Sequence, residues 1–237
     1  MNDRILVAVV TYNEGEKLQQ LLGQFPLERL VDLIVVDDGS ADYTPDVLRS
    51  AQIRFIRHDV NQGVGAAIRT AIRYAQQNDY GVIVIMAGNG KMLPSEINRL
   101  TEPILSNRAD YVQGSRYVKG GQSPNLPLFR RVAIRLLTTI INLLVGFRGT
   151  DITCGFRAYR LELATLPEVN LDQEWLNRYE MEYYLHYKAI KNGFRIAEAP
   201  VTMLYPETGK NYSKIRPIID WWSMLRPWLF LVLRLRK

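Results

Sequence analysis

The first half of the chain alternates short apolar runs with longer amphipathic stretches. Residues 4–10, 33–36, 53–56 and 82–86 are dense in Val and Ile, as buried parallel strands are. Between them, 14–25, 44–51, 66–76 and 94–105 space their apolar residues at helical intervals. Pro45 and Pro94 suit a first helical turn, which has no use for the missing N–H. A fifth strand is predicted at 110–112. Strands and helices in this alternation imply an α/β fold, a doubly wound and mostly parallel sheet with helices on both faces. Ligand sites in such sheets lie at the carboxyl ends of the strands. Those ends read TYNEG, DDGSAD, NQGVG, AGNGK and GSRY, all polar or glycine-rich.

The second half has a different texture. Residues 128–145 are helical, with Arg131, Arg135, Thr138 and Asn142 forming a narrow polar stripe on a very apolar cylinder. Another helix is predicted at 180–191, closed by Gly193, and a strand at 194–199. The tail, 215–235, carries Trp221, Trp222 and Trp228 among leucines, with Arg226, Arg234, Arg236 and Lys237 close by. Its longest unbroken apolar run is WLFLVL, far short of the roughly 20 residues that span a bilayer. An amphipathic helix lying in the headgroup layer suits the aromatic and basic mixture. Docking on the protein's own core, or on a second copy, is the alternative. The expected organisation is one domain over 1–206, with a nucleotide-binding half at 1–112 and an acceptor half at 113–206. A basic, Trp-rich tail follows at 207–237.

Charge sharpens this picture. The net charge is +6 over 237 residues, but it is unevenly spread. Cations outnumber acids by seven over 111–160 and by five over 207–237, while both remaining stretches are acidic by three. Basic segments of this kind attract phosphates of nucleotides or lipid headgroups. Nucleic acid is not an expected partner, because the aromatics cluster in the tail and no groove-reading motif occurs. The lone cysteine, Cys154, excludes an internal disulfide and a thiolate zinc site. The first fifteen residues lack a signal peptide's basic, apolar and cleavage regions, so no export is expected. A cytoplasmic location is expected, with peripheral, salt-sensitive contact to the cytoplasmic face of a membrane.

Each motif alone is ambiguous. A carboxylate of Asp37 or Asp38 at a strand end can accept hydrogen bonds from a base or ribose, or can cap and turn the chain locally. NQGVG opens a helix and can offer N–H groups to a phosphate, yet it lacks the third glycine of a dinucleotide fingerprint. His58 and His186 have no metal or triad spacing and read as packing histidines.

Together the motifs are specific. VVTYNEGEKL, IVVDDGSADYT, NQGVGAAIRTAI, GSRY, DITCGFRAYR and YSKI follow one another in the order found in inverting family-2 glycosyltransferases. Over residues 5–226 the chain resembles the branch typified by dolichyl- and polyprenyl-phosphate sugar transferases. The resemblance implies a GT-A fold, a GDP- or UDP-sugar donor and a lipid phosphate acceptor. It puts Thr11, Tyr12, Glu14, Asp37, Asp38 and Gly63 on the nucleotide side. Arg116 and the Arg130/Arg131 pair match arginines near the donor and acceptor phosphates. Asp151, Gly155, Phe156 and Arg157 match an acceptor-side element, and Ser213 and Lys214 a juxtamembrane motif. Transfer to a glycan or other small acceptor, and a catalytically silent nucleotide-binding subunit, are the alternatives.

One departure stands out. Relatives of this kind carry D-x-D after the fourth strand, where carboxylates hold Mg²⁺ or Mn²⁺. Here Ala87 and Asn89 replace the acids and Lys91 follows. Hard cations prefer anionic oxygens, so Asn89 is at best a weak ligand. Either the Lys91 ammonium does the cation's electrostatic work, or Asn89 and the donor phosphates keep a weakly held metal, or transfer has been lost.

Overall fold

A computed structural model describes residues 2–25, 32–206 and 219–236. Seven strands form one sheet: β1 (Ile5–Thr11), β2 (Asp32–Asp37), β3 (Phe55–Arg57), β4 (Val82–Ala87), β5 (Tyr111–Ser115), β6 (Arg157–Arg160) and β7 (Ile196–Pro200). Their order across the sheet is β3-β2-β1-β4-β6-β5-β7. β1 pairs in parallel with β2 and β4, β2 with β3, and β5 with β7. β6 runs antiparallel to both neighbours, β4 and β5.

Side-chain alternation along β1 divides the core. Leu6, Ala8 and Val10 face one layer, Val7 and Val9 the other. The first layer is closed by α3 (Val64–Gln77) and α6 (Glu180–Lys191). The second is closed by α1 (Gly15–Leu22), α2 (Thr44–Ser50) and α4 (Ile97–Leu105). α5 (Leu128–Val145) and α7 (Ile219–Val232) meet over a third cluster, in which Ile141, Val145, Ile152, Tyr183 and Trp228 are buried.

The predicted elements are all present, with shifted ends. β3 begins only at Phe55, β5 continues to Ser115, and the stretch 94–105 divides into a 3₁₀ turn (Pro94–Glu96) and α4. β6 was not predicted. Its residues sit within the motif DITCGFRAYR, and all four are buried, so no polar alternation marks them as a strand.

For the tail helix the structure shows docking on the protein's own core, one of the two placements expected. α7 docks on α6: Trp228 is 1% exposed and packs its ring against Tyr183, His186 and Tyr187. Glu180, fully buried on α6, accepts a hydrogen bond from Ser223 Oγ (2.6 Å) and an ion pair from Arg226. The tail therefore contributes to the core, while Trp222, Leu229 and Leu233 stay exposed. No helix among the described residues is long and apolar enough to cross a membrane.

Candidate active site

The carboxyl ends of β1, β2 and β4 converge, and backbone constraints hold them close. Gly88 donates to Val10 O (2.8 Å), and a Cβ at that glycine would lie 2.8 Å from Thr11 Cβ. Only glycine permits that approach. Thr11 itself is buried, and its Oγ1 has no partner among the described residues. Tyr12 and Glu14 are half-buried beside it, Glu14 pairing with Lys17 at 2.6 Å.

Asp37 and Asp38 of DDGSAD make turns. Asp37 Oδ1 accepts from Ser40 N (3.1 Å) and Ser40 Oγ (2.5 Å), and Arg57 Nε lies 3.4 Å from Oδ2. Asp38 accepts from Asn61 Nδ2, Gln62 N and Gly63 N at 2.8–2.9 Å, and lies 2.8 Å from His58 Nδ1. These bonds satisfy both carboxylate oxygens, and His58 is thereby a buried structural histidine. NQGVG is corrected as well. The Gly65 and Ala66 N–H groups donate to Asn177 O (2.9 and 3.1 Å) and those of Gln62 and Gly63 to Asp38, so these amides are spent inside the protein. Gly63 adopts φ +103, and a Cβ there would meet Asn177 O at 2.3 Å. The motif fastens α3 to the 170s loop.

Beyond the strand ends lies a cavity of about 420 Å³ with a mixed lining. Asn89, Lys91, Arg116, Arg130, Thr153 and Glu182 supply polar groups, and Ile134, Leu137 and Ile140 of α5, with Met224 and Leu225 of α7, are among its apolar walls. Burial pushes the Lys91 ammonium down to about 8, reinforced by the like charges of Arg130 and Lys17 and opposed by Glu14. Its Nζ lies 5.5 Å from the Tyr205 ring centroid. The turn is braced by Leu204 N donating to Lys91 O (2.9 Å).

Arg116 is held rigidly. Nε and Nη2 form a fork on Asp151 (2.6 and 2.7 Å), Nη1 donates to Tyr205 Oη (2.7 Å) and Nη2 also to Thr153 Oγ1 (2.6 Å). Burial alone would depress its pKa; the field and hydrogen bonds of Asp151 outweigh it and hold the pKa well above the ordinary value. Asp151 and Arg116 are thus one buried pair, and Asp151 spends its charge inside the protein.

Arg157 is equally committed. It donates to Cys154 O and Ile152 O (both 3.0 Å), Glu182 O (2.6 Å) and Tyr111 Oη (3.1 Å), which folds the 152–156 turn around it. Phe156 is core. Both residues belong to the element expected to shape the acceptor side, and here they shape the turn that presents Gly155 to the cavity. Of the arginine pair, Arg130 lines the cavity. Arg131 does not line it, and its charge bears on Tyr117. Ser213 and Lys214 lie outside the described residues.

Glu182, Tyr179 and Tyr205 also line the cavity and were not anticipated. Their sequence context is an ordinary amphipathic helix and a loop, so only the fold brings them to the site. Glu182 is the one carboxylate in that lining, and burial raises its pKa against the pull of Arg157. For a divalent cation the donor set after β4 does not fit. Asn89 Oδ1 is the only side-chain oxygen that 87–91 offers, it accepts from Lys91 N (3.2 Å), and an ammonium stands two residues away. Among the described residues no group of three or more His, Cys, Asp or Glu side chains is gathered to hold a metal.

Comparison with known proteins bears on the family and the fold. Residues 6–165 match the profile described as Glycosyl transferase family 2. The polyprenol monophosphomannose synthase of Mycolicibacterium smegmatis is 35% identical over 213 residues, covering 87% of this chain and 79% of that protein. The undecaprenyl-phosphate mannosyltransferase of Micrococcus luteus is 32% identical over 216 residues, covering 88% and 86%. Among solved structures, glucosyl-3-phosphoglycerate synthase from Mycobacterium tuberculosis in complex with Mn²⁺ and UDP-glucose superposes with a TM-score of 0.68 at 18% identity, covering 99% of this chain and 80% of that one. The last likeness concerns the fold.

Proposed function

The chain belongs to glycosyl transferase family 2, and from that premise we propose that it moves one sugar from a nucleoside diphosphate sugar to a polyprenyl phosphate, with inversion at the anomeric carbon. The observation that carries this reading is the mixed lining of the cavity. Lys91 and Arg130 offer charge for phosphates, and α5 and α7 contribute apolar walls suited to a hydrocarbon chain. The two relatives named above are, by their names, transferases acting on polyprenyl lipids.

The chemistry follows from those groups. An oxygen of the acceptor phosphate attacks the anomeric carbon while the bond from that carbon to the nucleotide's terminal phosphate breaks. The acceptor is ionised near neutral pH, so no side chain has to take its proton. The departing diphosphate gains negative charge, and cations fixed in a partly dry cleft stabilise that charge more than water would. Lys91 supplies this charge beside Arg130, and Arg116, locked by Asp151, keeps Tyr205 and Thr153 in register around it. We assign to Lys91 the electrostatic role of the divalent cation, since the residues after β4 do not suit one. Tyr12, Glu14 and the turn built on Asp37 and Asp38 frame the nucleotide. The protein works peripherally at the cytoplasmic face of a membrane.

The test is transfer from a panel of GDP- and UDP-sugars to polyprenyl phosphate, with and without EDTA. A sugar-lipid product that survives EDTA is expected. Product abolished by EDTA and restored by Mn²⁺ would return the cation to the mechanism. No product from any donor, with nucleotide still bound, would make this a silent binding subunit; product on a glycan alone would replace the acceptor.

A further inference from the structure

A metal ion is placed by several ligands at once, whereas a lysine ammonium is a point charge on a flexible stem. For Lys91 to act on a departing phosphate, something has to fix where it stands. The chain beyond β7 supplies such a fixture. It runs on, extended, from Val201 to Tyr205 and is pinned along both edges. On one edge Gln122 N donates to Val201 O and Met203 N to Gln122 O, both at 3.0 Å. On the other, Thr202 N and Oγ1 donate to Glu96 (2.7 and 2.9 Å), Leu204 N donates to Lys91 O (2.9 Å), and Met203 forms a β-bridge with Met92. Tyr205 comes next and is 8% exposed. Its carbonyl accepts from Asn125 Nδ2 (3.1 Å), and its Oη accepts from Arg116 Nη1 (2.7 Å), Arg116 being forked on Asp151. The ring is therefore held at its backbone and at its tip, with its centroid 5.5 Å from Lys91 Nζ.

We infer that Tyr205 is a positioning residue for Lys91, its ring holding the ammonium in the cavity where charge develops on the departing diphosphate. The inference rests on the electrostatic role given to Lys91 above. A ring suits this task better than an acid. A carboxylate in its place would cancel the charge of the ammonium and compete with the phosphate for it. An aromatic face attracts a cation through its quadrupole and does not neutralise it. Arg130 lines the same cavity and repels Lys91, so an ammonium with no wall to rest on would swing away from the phosphate. One already in place needs no reorganisation as the charge builds up.

The experiment is a fluorine series at position 205 of the full chain, read in two backgrounds. Tyr205→Phe is the reference, and mono-, di- and trifluorophenylalanine in its place keep the ring's shape while draining negative charge from its face. Each is made with Lys91 and with Lys91→Met. Two quantities are read: kcat for transfer at saturating donor and acceptor, and the affinity for GDP and UDP by calorimetry. A nucleoside diphosphate carries the charge that the leaving group develops, so its binding reports the same contact without sugar or acceptor. With Lys91 in place, kcat and the affinity for the preferred diphosphate should both fall stepwise, by about fivefold at the trifluoro ring, with KM for the donor steady. In Lys91→Met the series should be flat, because a ring that acts through Lys91 has nothing left to act on. Should Tyr205→Phe not fold, 3-fluorotyrosine against tyrosine gives a shorter series with the Arg116 contact kept, read below pH ~7 where both phenols hold their protons. A flat series with Lys91, or an equal slope in Lys91→Met, would overturn the inference and leave the ring a filler of space. If no donor gives product while diphosphate affinity follows the series only when Lys91 is present, the transfer reading falls and this one stands. If product forms but neither quantity follows the series, this one falls alone.

Discussion

At the scale of the residue, the arginines of the motifs are committed to internal partners, whereas a lysine after β4 lines the cavity. Arg116 and Arg157 were legible as motif residues, but their guanidinium groups are consumed by Asp151, Tyr205 and the backbone of the 152–156 turn. Lys91, legible only as a departure from an acidic motif, sits at the cavity with its pKa pushed down to about 8. Lys91→Met should lower kcat by about 10²–10³-fold with little change in KM for the donor, because the lost charge acts chiefly in the transition state. The ammonium loses its proton as pH rises through about 8, so wild-type transfer should decline there. Lys91→Arg retains its charge to beyond pH ~12 and should flatten that alkaline limb. Rate profiles at saturating donor and acceptor check this; an identical limb in Lys91→Arg would remove Lys91 from the role.

At the scale of the element, α5 and α7 show what periodicity conveys and what it omits. The polar stripe of α5 was readable from spacing, yet spacing does not say which side faces the protein. Long-range partners decide that: Thr138 and Asn142 meet the 149–152 turn, so this end of the stripe turns inward while Arg135 stays exposed. α7 was read as a membrane-surface helix, with docking on the protein's own core as the alternative; part of it is exposed. Trp228 and the buried Glu180 hold the rest to α6. Trp228→Ala should cost about 3 kcal/mol, a large-to-small change in a packed site. That corresponds to a melting temperature lower by about 6–12 °C, measured by calorimetry. A shift within error would mean that the α6–α7 contact contributes little to folding.

At the scale of the molecule, an antiparallel strand unites two parallel blocks, β3-β2-β1-β4 and β5-β7. The seam buries an unusual group. His186 is fully buried against Tyr111, Phe147 and Trp228, and neither ring nitrogen has a partner among the described residues. Burial, then the charge of Arg157, drives its pKa well below 6.5. The folded protein therefore refuses a proton that the unfolded chain accepts below pH ~6.5. Its titration adds no cost above that pH, and stability should fall as pH drops below it, by up to about 1.4 kcal/mol per pH unit. His186→Phe should remove this part of the slope. Urea denaturation of both proteins between pH ~7 and pH ~5 reads the difference, and parallel curves would refute it.

The sequence by itself determined the strand and helix alternation, the family and the list of motifs. Each of these depends on local periodicity or on spacing along the chain, which folding does not alter. The fold alone decided that β6 enters the sheet between β4 and β5, that Arg130 rather than Arg131 lines the cavity, and that NQGVG spends its amides on Asp38 and Asn177. It also decided which face of α5 looks outward. These depend on partners dozens of residues away, such as Asp151 for Arg116 and Glu180 for Arg226, and a side chain's options close only when such a partner is in place.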